Sequence, residues 1–282
     1  MLQDKEEYVV FNSNKYEVKN NILNLSKQGI TKITEIEGLQ KLTRLKALDL
    51  SHNKISEING LETLSELEKL WLNNNEIEEI NGLGTLLKLE SLYLEKNKIS
   101  EMKGLENLIN LKILWLKENN ITNIKGLESL ISLEELWLKK NQISKIKGLD
   151  NLKNLKYLCL GGNKITNIEG LESLSNLECL NLMYNQINLI SNVEALKNLI
   201  NLDLGWNKIE AIENLEFLSN LRCLSCEYNN ISKISNLSSL KNLKLINIEG
   251  NPIDIKKFNK ELKKIIKEDY KKTKPNSYFL TN

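Results

Sequence analysis

Few side chains in this 282-residue chain could do chemistry: four cysteines, one histidine, and tryptophans and tyrosines placed at regular intervals. Cys223 and Cys226 form a CxxC, a spacing used by zinc sites and dithiol redox centres. On an extended strand, residues three apart point to opposite faces, so one metal ion could not take both thiols. Cys159, Cys179 and Cys223 fall on one expected face with no histidine in register, and read as small reduced hydrophobes. His52, the sole histidine, excludes most histidine-dependent triads and multi-histidine metal sites. Beside Asp49 it makes at most a lone acid or base, and a contact residue is the simpler reading. Gly161 and Gly162 precede Asn163 inside a regular segment instead of opening a long helix, so they form no phosphate loop. The expectation is a non-enzymatic protein with no catalytic residue, metal ligand or cofactor.

The aromatics gain meaning from a second series. Asparagine recurs at 53, 75, 97, 119, 141, 163, 185, 207, 229 and 251, in identical steps of 22. Counted from each asparagine, apolar residues stand 11, 8, 5 and 3 positions before and 2, 5 and 8 after. Leu130, Leu133, Leu136, Leu138, Asn141, Ile143, Ile146 and Leu149 show the unit in full, while Cys226 replaces the last strand leucine in the unit of Asn229. The LxL pair has the period of a short strand whose leucines point inward, so positions 6, 4, 2 and 1 before the asparagine point out. Even scattering would put about 1.5 of the eight tryptophans and tyrosines between residues 42 and 251 in those four columns. All eight are there: Trp71, Tyr93, Trp115 and Trp137 four before, Tyr157 six before, and Tyr184, Trp206 and Tyr228 one before. The rings could pack on one another for about 0.5 to 1.5 kcal/mol per pair. Because leucines and isoleucines already fill the interior, anchoring a partner is the favoured reading.

The elements that carry these residues follow from the repeat. Strands stack as a parallel sheet, and each asparagine closes its strand by satisfying backbone groups at a tight turn. Seven positions later stands glycine in six consecutive units (Gly60 to Gly170), then Asn192, Asn214 and Asn236. Those residue types tolerate positive φ, which predicts a left-handed turn followed by a short 3₁₀-like segment. Acids just after the turn, such as Glu62, Glu106 and Glu128, suit that segment's N-terminus. Both open ends of such a stack need a cover. YVVF and KYEV around Asn12, Ser13 and Asn14 predict a hairpin before an atypical first unit with Gln28 in the asparagine slot. Beyond Pro252, Ile255, Phe258, Leu262, Ile265 and Ile266 recur at helical spacing and predict a lysine-rich capping helix.

This pattern resembles the leucine-rich-repeat family in its 22-residue form, over residues 23 to 253. The GLExLxxLxxLxLxxNxIxxI phrasing is similar to the leucine-rich regulatory subunit of protein phosphatase 1 and to the repeat region of bacterial internalins, which as a class are secreted adhesins. The resemblance implies an α/β fold: a curved, right-handed solenoid of about eleven units, with a parallel sheet on its concave face and 3₁₀ or irregular segments on its convex face. Residues 1–22 would form the N-terminal cap, 23–253 the array and 254–282 the C-terminal helix and tail. In the phosphatase regulator the column four before the asparagine meets the phosphatase. Here that column is aromatic in its first half, but it runs Cys159, Asn181, Asp203, Ser225, Asn247 in its second.

The expected function is therefore binding of a protein partner on the concave face by an intracellular adaptor or regulator. Phosphatase regulation, and stacking of single-stranded nucleic acid or glycan on the rings, are the alternatives. Contacts would come from Asp49, Trp71, Tyr93, Trp115, Trp137, Tyr157, Tyr184, Asp203, Trp206, Glu227, Tyr228, Lys117 and Lys139. They fall in two subsites: an aromatic, lysine-rich one over the units of Asn75 to Asn141, and a shallower acidic one beyond it. In the second, Gly161, Gly162, Gly205 and Gly250 would let a partner approach the sheet. A formal charge of +2 gives no pull toward a polyanion or a membrane, and the acids flanking the ladder argue against nucleic acid; the chain is expected to be a monomer. The absence of a leader-like or 18-residue apolar run, and four cysteines that suit a reducing compartment, point to the cytoplasm.

Overall fold

The computed structural model describes residues 7–235 and 237–254. The expected C-terminal helix, Asn236 and the first six residues lie outside that range. The chain divides into two compact units, Met1–Trp137 and Leu138–Asn282.

The first unit opens with a hairpin, β1 (Tyr8–Phe11) against antiparallel β2 (Asn14–Glu17). Asn12 and Ser13 turn it with φ of 46° and 63°, the positive values that two-residue hairpin loops need. Val9 and Phe11 are buried, and Tyr16 donates its hydroxyl to Gln28 Oε1 at 2.6 Å, which ties the hairpin to the first turn of the array. Then β3 (Ile22–Asn24), β4 (Ala47–Asp49), β5 (Lys69–Trp71), β6 (Ser91–Tyr93), β7 (Ile113–Trp115) and β8 (Glu135–Trp137) pair in parallel, in sequence order.

The second unit repeats the scheme with β9 (Tyr157–Cys159), β10 (Cys179–Asn181) and β11 (Asn201–Asp203). A two-residue strand, β12 (Ala211–Ile212), follows; β13 (Cys223–Ser225) then extends the main sheet. β14 (Lys233–Ile234) pairs with β12 on the far side of the turns, and β15 (Leu245–Asn247) pairs with β13. In both units the core is the expected set of leucines and isoleucines, nearly all with no solvent exposure.

The asparagine series does the work assigned to it. Asn119 donates Nδ2 to the carbonyls of Leu94 and Leu116 at 2.9 and 3.1 Å, and its Oδ1 accepts the Ile99 N–H at 3.0 Å. Asn185 repeats these contacts with Leu160, Leu182 and Ile165 in the second unit. Each amide thus satisfies three backbone groups of two successive turns at the buried end of a strand.

The left-handed column is equally regular. At Gly104, φ is +93°, and a Cβ would sit 1.7 Å from the Ile80 carbonyl oxygen of the preceding turn. Where asparagine takes over, the same approach becomes a hydrogen bond: Asn192 and Asn214 donate Nδ2 to the carbonyls of Ile168 and Ile190 at 2.7 and 2.8 Å. The acids that follow act by a more specific contact than an end-of-helix field. Glu62, Glu106 and Glu128 accept the N–H of Gly60, Gly104 and Gly126 at 3.0 to 3.2 Å. Beyond them, bonds such as Leu64 N–H to Leu61 O and Leu67 N–H to Leu64 O, both 3.0 Å, give the expected 3₁₀-like turns.

A second left-handed column was not foreseen. The residue just before each series asparagine also has positive φ, from His52 (57°) and Asn74 (56°) to Tyr228 (50°) and Gly250 (73°).

Asn119→Ala strands two carbonyls and an N–H in the interior, and is expected to cost about 3 kcal/mol or more in urea unfolding. Gly104→Ala is expected to destabilise more than Gly104→Asn, because only asparagine both tolerates the left-handed backbone and offers the Ile80 carbonyl a donor.

Candidate functional site

In the first unit, the register sets Trp71 beside Tyr93, Tyr93 beside Trp115 and Trp115 beside Trp137. Their ring centroids are 5.5, 5.1 and 5.4 Å apart, stacked, edge-on and tilted in turn. The rings therefore do pack on one another, yet each keeps part of its surface in solvent. Asp49, beside Trp71 at the edge of the row, accepts the Ser51 N–H at 2.9 Å. Trp137 donates Nε1 to Glu135 at 3.2 Å. Lys117 lies along the surface with its amine 3.6 Å from Glu118 and little of its side chain exposed.

Polar atoms under this row are left unmatched. Glu95 Oε2 and Trp115 Nε1 are buried, and neither has a hydrogen-bond partner among the described residues. Burial pushes the Glu95 carboxyl up to about 6 against the pull of Lys117 and Lys96, and it raises the Tyr93 hydroxyl as well. Neither effect was visible in a residue pattern that marks Glu95 only as outward. The same holds for Leu87, Ile109 and Ile131, which are more than half exposed in three consecutive turns ten positions before their asparagines.

In the second unit Tyr157 is partly exposed on β9. Tyr184, Trp206 and Tyr228 form a separate stack, with centroids 5.2 and 4.1 Å apart and planes within 22° and 24°. They are 49, 41 and 41% exposed, and all three occupy the unforeseen left-handed column, a costly backbone region for bulky side chains.

The open acidic subsite expected here needs correction. Asp203 is only 7% exposed; it accepts the Gly205 N–H and an Asn181 Nδ2 hydrogen, both at 3.1 Å. Nor do the glycines leave room for a visitor, because side chains of neighbouring turns fill them. A Cβ on Gly161 would meet Asn181 at 2.7 Å, on Gly205 it would meet Glu227 at 2.9 Å, and on Gly250 the Tyr228 ring at 2.6 Å. Cys159 and Cys179 are likewise buried, and Asn201 donates to the Cys179 sulfur at 3.2 Å. Cys226 is sealed in the core with its thiol pushed up by burial, while Cys223 is partly exposed, so the CxxC does straddle the sheet. Among the described residues no group of three or more histidines, cysteines and acids is placed to hold a metal ion.

Burial raises Asp203 to about 7, with the Gly205 hydrogen bond and Lys139 opposing it and Glu227 adding to it. Glu227 is itself raised by burial while accepting a hydrogen bond from Asn247.

A family model described as leucine-rich repeats (2 copies) matches residues 43–87, 65–107, 109–151, 131–173 and 153–194. The chain belongs to the leucine-rich-repeat family. Members of it act in protein–protein interaction and are typically non-enzymatic. Among solved structures the chain is similar to an internalin (InlF) from Listeria monocytogenes, with TM-score 0.74 and 28% identity over 84% of this chain and 75% of that one. Internalin C2 (InlC2) from the same organism gives TM-score 0.59 and 32% identity over 65% and 81%. A leucine-rich-repeat ectodomain of a plant membrane receptor kinase from Arabidopsis thaliana shares the fold at TM-score 0.63 and 23% identity, over 77% of this chain and 31% of that ectodomain. No curated protein matches in sequence.

The internalin resemblance of the repeats is thereby supported, whereas the phosphatase-regulator resemblance is not shown. The cytoplasmic expectation is corrected: the internalins that this chain is similar to point outside the cell. Near-neutral charge and a low cysteine count suit either side of a membrane, so they did not decide the compartment. Among the described residues no helix is long and apolar enough to cross a membrane.

A pH dependence follows from Asp203. Its folded pKa of about 7 lies above the ordinary 3.8. The stabilisation from its protonated form is therefore complete below about pH 4 and is lost as the pH rises toward 7. Asp203→Asn keeps an acceptor for Gly205. It is expected to raise the melting temperature at pH 8 more than at pH 4, as followed by circular dichroism.

Proposed function

We propose that these repeats bind a partner protein through the outward side of their strands, with the row Trp71, Tyr93, Trp115 and Trp137 as the main anchor. One observation carries this reading: four aromatic rings stand in register on consecutive turns, partly in solvent, over an interior that leucines already fill. Aromatic side chains give large contact area at low entropic cost, and clustered tryptophan and tyrosine dominate binding energy at interfaces. The unmatched Trp115 Nε1 and Glu95 Oε2 add a donor and an acceptor that a repacked, bound row could satisfy. The reading takes the chain as a monomeric binding module without catalysis. It disfavours nucleic acid, because Glu95, Glu118 and Glu135 lie among the lysines of this face. The two internalins and the receptor ectodomain support the choice of a protein partner by fold and family. The hairpin of Tyr8–Glu17 is, on the same reading, the N-terminal cover of the stack.

The test separates face from core. Trp115→Ala is expected to weaken partner binding by more than about 1 kcal/mol with a small loss of stability, whereas Leu136→Ala is expected to cost about 2 to 5 kcal/mol of folding. Affinity capture with the wild type and with a Trp71/Trp115/Trp137 triple alanine variant, followed by mass spectrometry, checks it. An undiminished set of captured proteins with the triple variant rejects the anchor.

A further inference from the structure

The second stack calls for its own explanation. At the position just before the series asparagine, where the backbone is left-handed, the second unit places Lys140, Gly162, Tyr184, Trp206, Tyr228 and Gly250. Glycine is the natural occupant of that backbone, and Asn74 in the first unit shows an uncharged alternative at φ 56°. Three large rings there are held against the preference of their own backbone, and they contribute nothing to the core, since they are 41 to 49% exposed. The same backbone carries Lys96, Glu118 and Lys140 in other turns, so what distinguishes these three turns is a run of large, exposed rings, the kind of surface that partners use.

The surroundings specify the contact. From Tyr157 to Gly250 the outward strand positions carry Asp203, Glu227 and Glu249, and no lysine or arginine. Asp203 is buried, but Glu249 is exposed and accepts the Tyr228 hydroxyl at 3.4 Å. Glu227 is half-buried against Gly205, the residue preceding Trp206. This negative field is strong enough to raise the Tyr228 hydroxyl, through Glu249 first. Aromatic faces and edges next to carboxylates suit a cationic side chain: the rings take its aliphatic stem and the acids take its charged head. The same acids repel phosphate, and a purely apolar partner would leave them without counter-charge.

We propose that the Tyr184–Trp206–Tyr228 stack, with Glu227 and Glu249, is a docking site for a basic segment of a protein partner, one that presents arginine or lysine side chains. This rests on the reading of the strand face as a protein-binding surface, and names the chemistry of what its second unit accepts.

The test uses the full chain and two labelled peptides of equal length, one with three arginines spaced by glycine and serine and one with glutamates in their place. Fluorescence anisotropy at fixed ionic strength is expected to show binding of the arginine peptide alone. Trp206→Asn, which keeps a residue type the column already holds, is expected to weaken it about tenfold or more, and Glu249→Gln by about threefold or more. Lys88→Gln, which removes an exposed ion pair with Glu66 in the first unit, should leave the peptide affinity unchanged. Circular dichroism establishes that Trp206→Asn is folded, and Glu249→Gln alters an exposed side chain, so one informative variant survives in any case. Equal binding of the glutamate peptide, preference for a single-stranded oligonucleotide, or an arginine affinity indifferent to both Trp206→Asn and Glu249→Gln would overturn the proposal. Failure here with capture still lost in the Trp71/Trp115/Trp137 variant rejects the basic site alone. Loss of neither rejects the protein-binding reading as well.

Discussion

The structure depends on one constraint: backbone groups turned inward at the end of every strand must find partners without water. A chain that coils back on itself every 22 residues buries those groups at each turn, and a three-residue strand has too few ladder bonds to absorb them. One asparagine side chain, with two donors and one acceptor directed at three backbone groups, meets the need in each turn. Because its partners belong to the preceding turn as well as its own, the series also fixes the register between turns. Every other column, apolar or aromatic, inherits its alignment from that bond.

Alignment turns single residues into surfaces. An outward tryptophan on an isolated strand is an ordinary exposed aromatic, but four in one column become a continuous wall of rings about a strand spacing apart. The two units use this in different ways. In the first, the rings rise from the strands and shield one another, covering a carboxylate oxygen and an indole nitrogen that have no hydrogen-bond partner among the described residues. In the second, they rise from the left-handed turn beyond the strands, stand further into solvent and border exposed acid. A single repeat thus offers an aromatic wall on the strands in one unit and a raised aromatic edge with negative charge in the other.

The acids illustrate how burial changes a residue's role. Asp203 and Glu227 have the spacing of contact residues, yet in the folded chain Asp203 is buried on the Gly205 N–H, Glu227 lies across the Gly205 hollow, and both hold their protons above the ordinary range. Their function is partly to pack, with amides of Asn181 and Asn247 supplying hydrogen bonds. Period and polarity in the sequence mark such a position as outward, and do not record whether the side chain of the next turn will lie across it.

The sequence alone determined the repeat, the strand positions, the buried leucines and isoleucines, the asparagine bonds and the glycine turn, because each of these follows from a local need repeated in every turn. It also placed all eight rings on the outward side, since strand alternation is a local rule. Only the tertiary structure decided which outward side chains remain open, that Asp203 and the glycine hollows are closed, and that Tyr184, Trp206 and Tyr228 sit on left-handed backbone. Those properties are set between turns, where residues 22 apart compete for the same space, and no single turn contains the information.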